Sequence, residues 1–249
     1  MPLERRLGIL GGGRAAWAFG SAWRRIGWPV DGVWLREISK SRLPELLEAP
    51  RKPIASMHAD LLLIAVSDRA IEEVAALIPP TQSIIFHASG AKASLRDGFS
   101  LHPLKALPPV GEPSDLDDAL LVFEGNHRDV AQSIAENIGA RFAIVSKEEK
   151  PRYHAAAVFG SNYVAALLDI AQRHLGIENA RGDLAALARS AIDNWRAFDD
   201  ARRFTGPAAR GDEEVIERHL AALAADPQVA EIYRLLADEI RRSILAAPK

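Results

Sequence analysis

The chain has 249 residues, 48% hydrophobic and 26% charged, which is enough apolar material for one large domain or two modest ones. Its formal net charge of -2, without a dominant basic cluster, argues against a nucleic-acid partner. The absence of cysteine excludes disulfides, thiolate catalysis and cysteine-bound metals, and no apolar stretch reaches membrane-spanning length, so a soluble, cytoplasmic protein with no membrane partner is expected.

The apolar run Leu7 to Leu10 breaks directly into Gly11-Gly12-Gly13-Arg14-Ala15-Ala16 and then into a helical pattern. Gly11, Gly13 and Ala16 stand in the G-x-G-x-x-A spacing of a dinucleotide-binding unit. Gly11 permits the sharp turn, Gly13 lets a pyrophosphate approach the backbone, and Ala16 lets helix and strand pack closely. Gly11, Gly12, Gly13, Arg14 and Ala15 are therefore candidate cofactor contacts, at a helix N-terminus whose free N–H groups suit an anion. Ala16, Phe19, Trp23 and Ile26 recur at spacings of three and four, the buried stripe of a helix, which Gly27 and Pro29 stop.

Val30 to Leu35 predicts a second strand, ending where a ribose-reading side chain is expected. Arg36 favours a 2′-phosphate and Glu37 a free 2′-hydroxyl; with Arg14, Lys40 and Arg42 nearby, the pattern leans to NADP over NAD. Leu61 to Val66, Ser83 to Phe86 and Phe99 to Leu101 predict further strands, separated by helical or loop segments such as Ile71 to Ile78. Ala119 to Glu124 and Ala140 to Val145 predict two more, flanking a helix from Asp129 to Asn137. Such alternation argues a mostly parallel sheet covered by helices.

From Pro151 onward no strand pattern follows. Helices are expected at 151–175, 183–203, 212–225 and 228–246, broken by Gly176, by Gly206-Pro207 with Gly211, and by Pro227. The expected fold is thus α/β: a Rossmann-type domain over 1–149, followed by an all-helical substrate and dimerisation domain over 150–249.

Ligands of open parallel sheets bind at the carboxyl ends of the strands. Ala65, Val66 and Ser67 end the third run, where small residues suit the nicotinamide-side ribose, while Asp68 either joins them or caps the next helix. The fourth run ends in His87-Ala88-Ser89-Gly90 and the fifth in His102-Pro103-Leu104-Lys105. His87 is a candidate cofactor contact. Ser89 and His102 form a candidate hydrogen-bonding and proton-transfer pair for a carbonyl or alcohol, against the plainer reading of a histidine satisfied by backbone carbonyls. Lys105 reads as solvated.

On a helical period, His154 and Ser161 fall about 20° apart with Asn162 adjoining. Asn162 reads equally as a structural residue or as one presented to substrate from the helical side, and His154 as structural. The phrase from Phe204 to Asp212 reads as turn chemistry with Asp212 as an N-cap. The seven histidines are scattered without metal-binding spacing, so no metal site is expected, although convergence of His87, His102 and His154 stays open.

The phrases GILGGGRAA, ADLLLIAVSD, FHASGA, LHPLKAL, YHAAAVFGSNYVAALLDIA and TGPAARGD together resemble Rossmann-like proteins with the C-terminal domain of unknown function 2520. That family is similar, more distantly, to dehydrogenases with a 6-phosphogluconate-dehydrogenase-type helical domain, among them pyrroline-carboxylate reductases, ketopantoate reductases and prephenate dehydrogenases. The resemblance implies a nicotinamide cofactor, a small-molecule substrate held between domains, and a homodimer through the helical half. The serine followed by a His-Pro phrase is similar to the prephenate dehydrogenase arrangement and points again to Ser89 and His102. The expected function is an NAD(P)-dependent oxidoreductase moving a hydride between nicotinamide and a small carbonyl, imine or alcohol. The alternative is an NAD(P)-binding sensor or scaffold without turnover.

Overall fold

The computed structural model describes residues 4–36, 41–95, 97–112 and 114–246. Among them, strands β1 (Leu7–Leu10), β2 (Val30–Trp34), β3 (Leu61–Ile64), β4 (Ile84–His87), β5 (Phe99–Pro103), β6 (Leu120–Gly125) and β7 (Arg141–Ile144) form one sheet in the order β2-β1-β3-β4-β5-β6-β7. Every neighbouring pair is parallel except β5 with β6. A parallel bridge between Val33 and Arg51 adds the start of a further strand beyond β2. The order runs outward in both directions from β1, creating a switch point at the carboxyl ends of β1 and β3, where such sheets bind ligands.

Both central strands are apolar along their whole length because both sheet faces are covered. Leu7, Ile9, Leu61 and Leu63 pack with Ala16, Phe19 and Trp23 of helix α1 (Arg14–Arg25). Leu10, Leu62 and Ile64 face the other way, against Ile71, Val74 and Ala75 of α3 (Ile71–Ala76), which follows the short helix α2 (Leu43–Leu47). Alternation at period two thus sorts one continuous run into two cores. Helix α4 (Arg128–Asn137) completes the first face through Val130, Ala131, Ile134 and Ala135. The predicted stripe on α1 is present, and Gly27, at φ +74, ends that helix.

The chain divides into two compact units, 1–161 and 162–249. The first includes helix α5 (Lys150–Phe159). The second holds α6 (Asn162–His174), α7 (Arg181–Ala197), α8 (Pro207–Arg210), α9 (Glu213–Ala222) and α10 (Pro227–Leu245), with no strand among its described residues. Its core is small: Ala208, Ile216 and Ala237, with Leu220, Tyr233 and Ile240 against them. The carboxylates of Asp212 and Asp226 accept from Val215 and Val229 N–H, so both aspartates cap the helices they precede.

Two helices run shorter than expected. The single helix predicted over 151–175 is interrupted at Gly160-Ser161, where glycine costs a helix most and the Ser161 hydroxyl bonds back to the Ala157 carbonyl at 2.6 Å. His154 and Ser161 consequently do not share one helical face. The helix predicted over 183–203 stops at Ala197, and Ala201–Arg203 form a separate 3-10 turn capped by Asp200.

Candidate active site

The glycine turn leaves β1 at the switch point. Gly11 has φ +122, and a Cβ there would strike the Ala65 carbonyl oxygen, so no other residue fits between β1 and β3. A Cβ on Gly12 would lie 2.8 Å from Leu35 and Ser41 side-chain atoms. Gly13 differs: its φ of -80 suits any residue, and a Cβ would meet only the Ala65 carbonyl oxygen at 3.6 Å. Helix α1 then starts at Arg14 with neither a side-chain cap nor an acidic residue in its first turn. Its leading N–H groups and positive dipole end therefore stay uncompensated by the protein, which suits an anion approaching over Gly13. A dinucleotide's diphosphate, which this fold implies, fits that cradle. Arg14 is exposed beside it, one guanidinium nitrogen 3.4 Å from the Leu107 carbonyl oxygen.

Arg36 follows β2 and forms an exposed ion pair with Glu73 of α3 at 2.8 Å. Glu37 and Lys40 lie outside the described residues. Ala65 is buried at the end of β3, Val66 is half-buried, and Ser67 is exposed. Asp68 opens a 3-10 turn, Asp68–Ala70, whose preceding residue makes no side-chain cap, and its own carboxylate lies within electrostatic reach of His87, His102 and Lys150.

His87 is spent on its own loop. One ring nitrogen, Nε2, lies 3.0 Å from the Ala93 carbonyl, and Nδ1 accepts from Ser89 N–H at 3.2 Å. With its ring 1% exposed, burial drives its pKa down and keeps it neutral. It therefore shapes the turn and has no ring nitrogen left for a cofactor. The Ser89 hydroxyl accepts from Ala91 and Lys92 N–H at 3.2 and 3.0 Å, which leaves its O–H as a donor.

Strand pairing brings together polar residues that no local pattern links. His87 pairs with Ser100, and Ser100 with Glu124, so these three stand in a row across β4, β5 and β6, with His102 two residues further along β5. Phe86, Phe99, Leu101 and Phe123 occupy the opposite face, in the main core. Helix α5 covers the polar face. Lys150, Tyr153 and His154, spaced i, i+3 and i+4, share one side of it. Tyr153 Oη lies 2.5 Å from His102 Nδ1, and the His154 and His102 rings meet edge to face at 5.7 Å. Lys150 Nζ bonds the Ser100 hydroxyl and, at 3.2 Å, Glu124.

Gly90 completes the arrangement. A Cβ there would collide with His154 Nδ1 and lie 2.9 Å from both Cε1 and Nε2 of His102. His154 Nδ1 is buried without a hydrogen-bond partner. Burial, and then the charges of His154 and Lys150, bring the His102 pKa down to about 4, while burial pushes Tyr153 up to about 12. Both groups are neutral at pH 7. The signal that could have exposed this cluster is F-H, F-S-L-H and F-E alternation in strands where both faces are buried: His87, Ser100 and Glu124 are at most 5% exposed.

Asn162 opens α6 in the second unit. Lys105 Nζ donates to the Asp115 carbonyl at 2.7 Å. Arg210 ends the single-turn helix α8, which Gly206-Pro207 begins. No group of three or more metal-ligating side chains occurs among the described residues.

A sheet with a switch point, a glycine cradle at β1 and an appended helical unit define a Rossmann-type protein with a helical C-terminal half. Residues 120–240, from β6 into α10, match the family described as Domain of unknown function (DUF2520). A Bacteroides fragilis structure described as a candidate NADP oxidoreductase is similar at TM-score 0.81 and 22% identity, over 96% of this chain and 98% of that one. A Thermotoga maritima protein is similar at TM-score 0.75 and 23% identity, over 96% and 98%. The reductive aminase of Aspergillus terreus, in complex with NADPH and ethyl levulinate, is similar at TM-score 0.61 and 16% identity, over 97% and 94%. These likenesses establish the fold. No curated protein matches the sequence. Among the described residues no helix is long and apolar enough to cross a membrane.

Proposed function

We propose that this chain is an NAD(P)-dependent oxidoreductase acting on a small carbonyl, imine or alcohol. The observation that carries the reading is the juxtaposition at one sheet edge: an uncapped helix N-terminus behind an obligate glycine turn at β1, and a neutral His102–Tyr153 pair at the carboxyl end of β5. The similarity to a reductive aminase in complex with NADPH supports the same cofactor class.

When bound, the nicotinamide cofactor supplies or accepts the hydride. Gly11, Gly12, Gly13, Arg14 and Ala15 hold its diphosphate, with Ala65, Val66 and Ser67 beside the neighbouring strand end. We assign the tautomer in which the protonated Tyr153 phenol donates to His102 Nδ1 and the neutral imidazole carries its own proton on Nε2, the edge that faces Gly90. From there it donates to the substrate oxygen or nitrogen and exchanges the proton as the hydride moves, while the Ser89 O–H orients the same atom.

Arg36 favours NADP because its exposed pair with Glu73 holds it weakly and leaves it able to turn to a 2′-phosphate. Calorimetric titration tests both points. NADPH is expected to bind more tightly than NADH, and Arg36→Ala to weaken NADPH about tenfold with NADH unchanged. A screen of small keto acids and imines should then show loss of NADPH absorbance. Binding without turnover of any of them would favour the sensor, and no binding of either nucleotide would end the reading.

We also infer a homodimer through the helical unit. Leu187 is 67% exposed, Trp195 66% and Leu235 57%, and α6 buries no residue, so large apolar side chains of this unit stand open to cover by a second copy. Sedimentation equilibrium should return twice the chain mass of 27.1 kDa, and Leu187→Asp with Trp195→Asp should return the monomer. A wild-type monomer at micromolar concentration overturns it.

A further inference from the structure

Lys150 is 2% exposed, the only buried residue of α5, and stands outside the chemistry proposed above. Its ammonium reaches Ser100 and Glu124, and each of these holds one end of the turn after β4. The Ser100 hydroxyl donates to the Ser89 carbonyl at 3.1 Å. The Glu124 carboxylate accepts Ser94 N–H at 2.7 Å and the Ser94 hydroxyl at 3.0 Å. A residue needed only to fasten α5 would do so better as an apolar side chain, because a buried ion pair recovers little more than its own desolvation cost.

We propose that Lys150 is a positioning residue for this reaction: through Ser100 and Glu124 it sets the 89–94 turn against His102, so that Ser89 and the His102 Nε2 edge address one substrate atom. The proposal rests on the oxidoreductase reading. Tolerance at the contact is less than one methyl group, since a Cβ on Gly90 would already collide with His154 and crowd His102. A displacement of about 1 Å at such a contact is enough to lose a reacting geometry.

Charge acts in the same direction. The groups facing His102 are Tyr153, His154 and Lys150 from α5 and, from the turn after β3, Asp68. After burial, the His154 and Lys150 charges hold its pKa down, and Asp68 opposes them. Burial likewise pulls the Lys150 ammonium below the ordinary lysine value, with Glu124 opposing. Glu124 itself stays below the ordinary carboxyl value because its Ser94 and Lys150 partners outweigh its desolvation.

The test uses the full chain without cofactor or substrate. The His102 imidazole resonances are titrated by NMR in the wild type, in Lys150→Met and in the paired Lys150→Met, Glu124→Gln variant, which leaves no unpaired buried charge. The wild-type midpoint is expected near 4. In the paired variant it should rise by about half a unit or more, roughly a threefold change in protonation equilibrium. Exchange of the Ala91 and Lys92 amides, now held by Ser89, should quicken as well, and NADPH affinity should stay unchanged. A wild-type midpoint at the ordinary histidine value, or a folded variant in which it does not move, overturns the proposal. Because the titration needs no nucleotide, failure of NADPH to bind would sink the oxidoreductase reading separately. Where Lys150→Met alone does not fold, the paired variant and the wild-type midpoint carry the result.

Discussion

His102→Ala should lower turnover at saturating cofactor by about a hundredfold or more, with NADPH affinity unchanged. The imidazole lies beyond the glycine cradle, so its loss removes the donor to the substrate atom and leaves the diphosphate contacts intact. Tyr153→Phe should cost less, about tenfold, because the ring keeps its place but loses the partner that fixes its tautomer. Unchanged turnover in His102→Ala would remove this residue from the mechanism.

The same imidazole gives a stability signature. Its folded pKa is about 4 and the ordinary value is 6.5, so between those pH values the unfolded chain binds a proton that the folded chain refuses. Stability from this group is therefore complete above pH 6.5 and is lost as pH falls toward 4, with a limiting slope of about 1.4 kcal/mol per pH unit. Urea unfolding at a series of pH values should show His102→Ala losing part of the wild type's acid sensitivity. Identical slopes in the two proteins would mean that this imidazole is not held neutral.

Gly11→Ala and Gly13→Ala should separate fold from binding. Gly11 combines φ +122 with a Cβ position blocked by the Ala65 carbonyl, so alanine there should cost more than about 2 kcal/mol and abolish NADPH binding. At Gly13 alanine meets an ordinary backbone angle and an open space, with the nearest atom at 3.6 Å. Stability should hold while NADPH affinity falls about tenfold, because the new methyl group stands where the diphosphate approaches. Urea unfolding followed by tryptophan fluorescence, and titration of the folded variant, read the two effects. Wild-type affinity in Gly13→Ala would place the diphosphate elsewhere.

Several elements were legible from local pattern because their causes are local. The run Leu7 to Leu10 followed by three glycines encodes a strand and a turn within a few residues, and the three-and-four spacing of Ala16, Phe19 and Trp23 encodes the helix behind it. The break at Gly160-Ser161 is not legible in the same way, since an alanine-rich segment hides how much one glycine and one back-bonding serine weaken a helix. The place of His87 at a strand end suggests a cofactor contact, yet the chain folds back and uses both ring nitrogens. Strand-end position says where a side chain stands but not what already occupies it.

Taken by itself, the sequence determined the α/β class, the strand and helix series and the glycine cradle, because periodicity, turn chemistry and small-residue spacing act between near neighbours. Tertiary structure alone decided that Lys150, Glu124, Ser100 and His102 form one buried network and that Tyr153 lies against His102. The hydrogen-bonded pairs among them are separated by up to 51 positions and meet through the register of β4, β5 and β6 and the docking of α5. Register and docking follow from the packing of whole faces, which no short stretch of chain specifies.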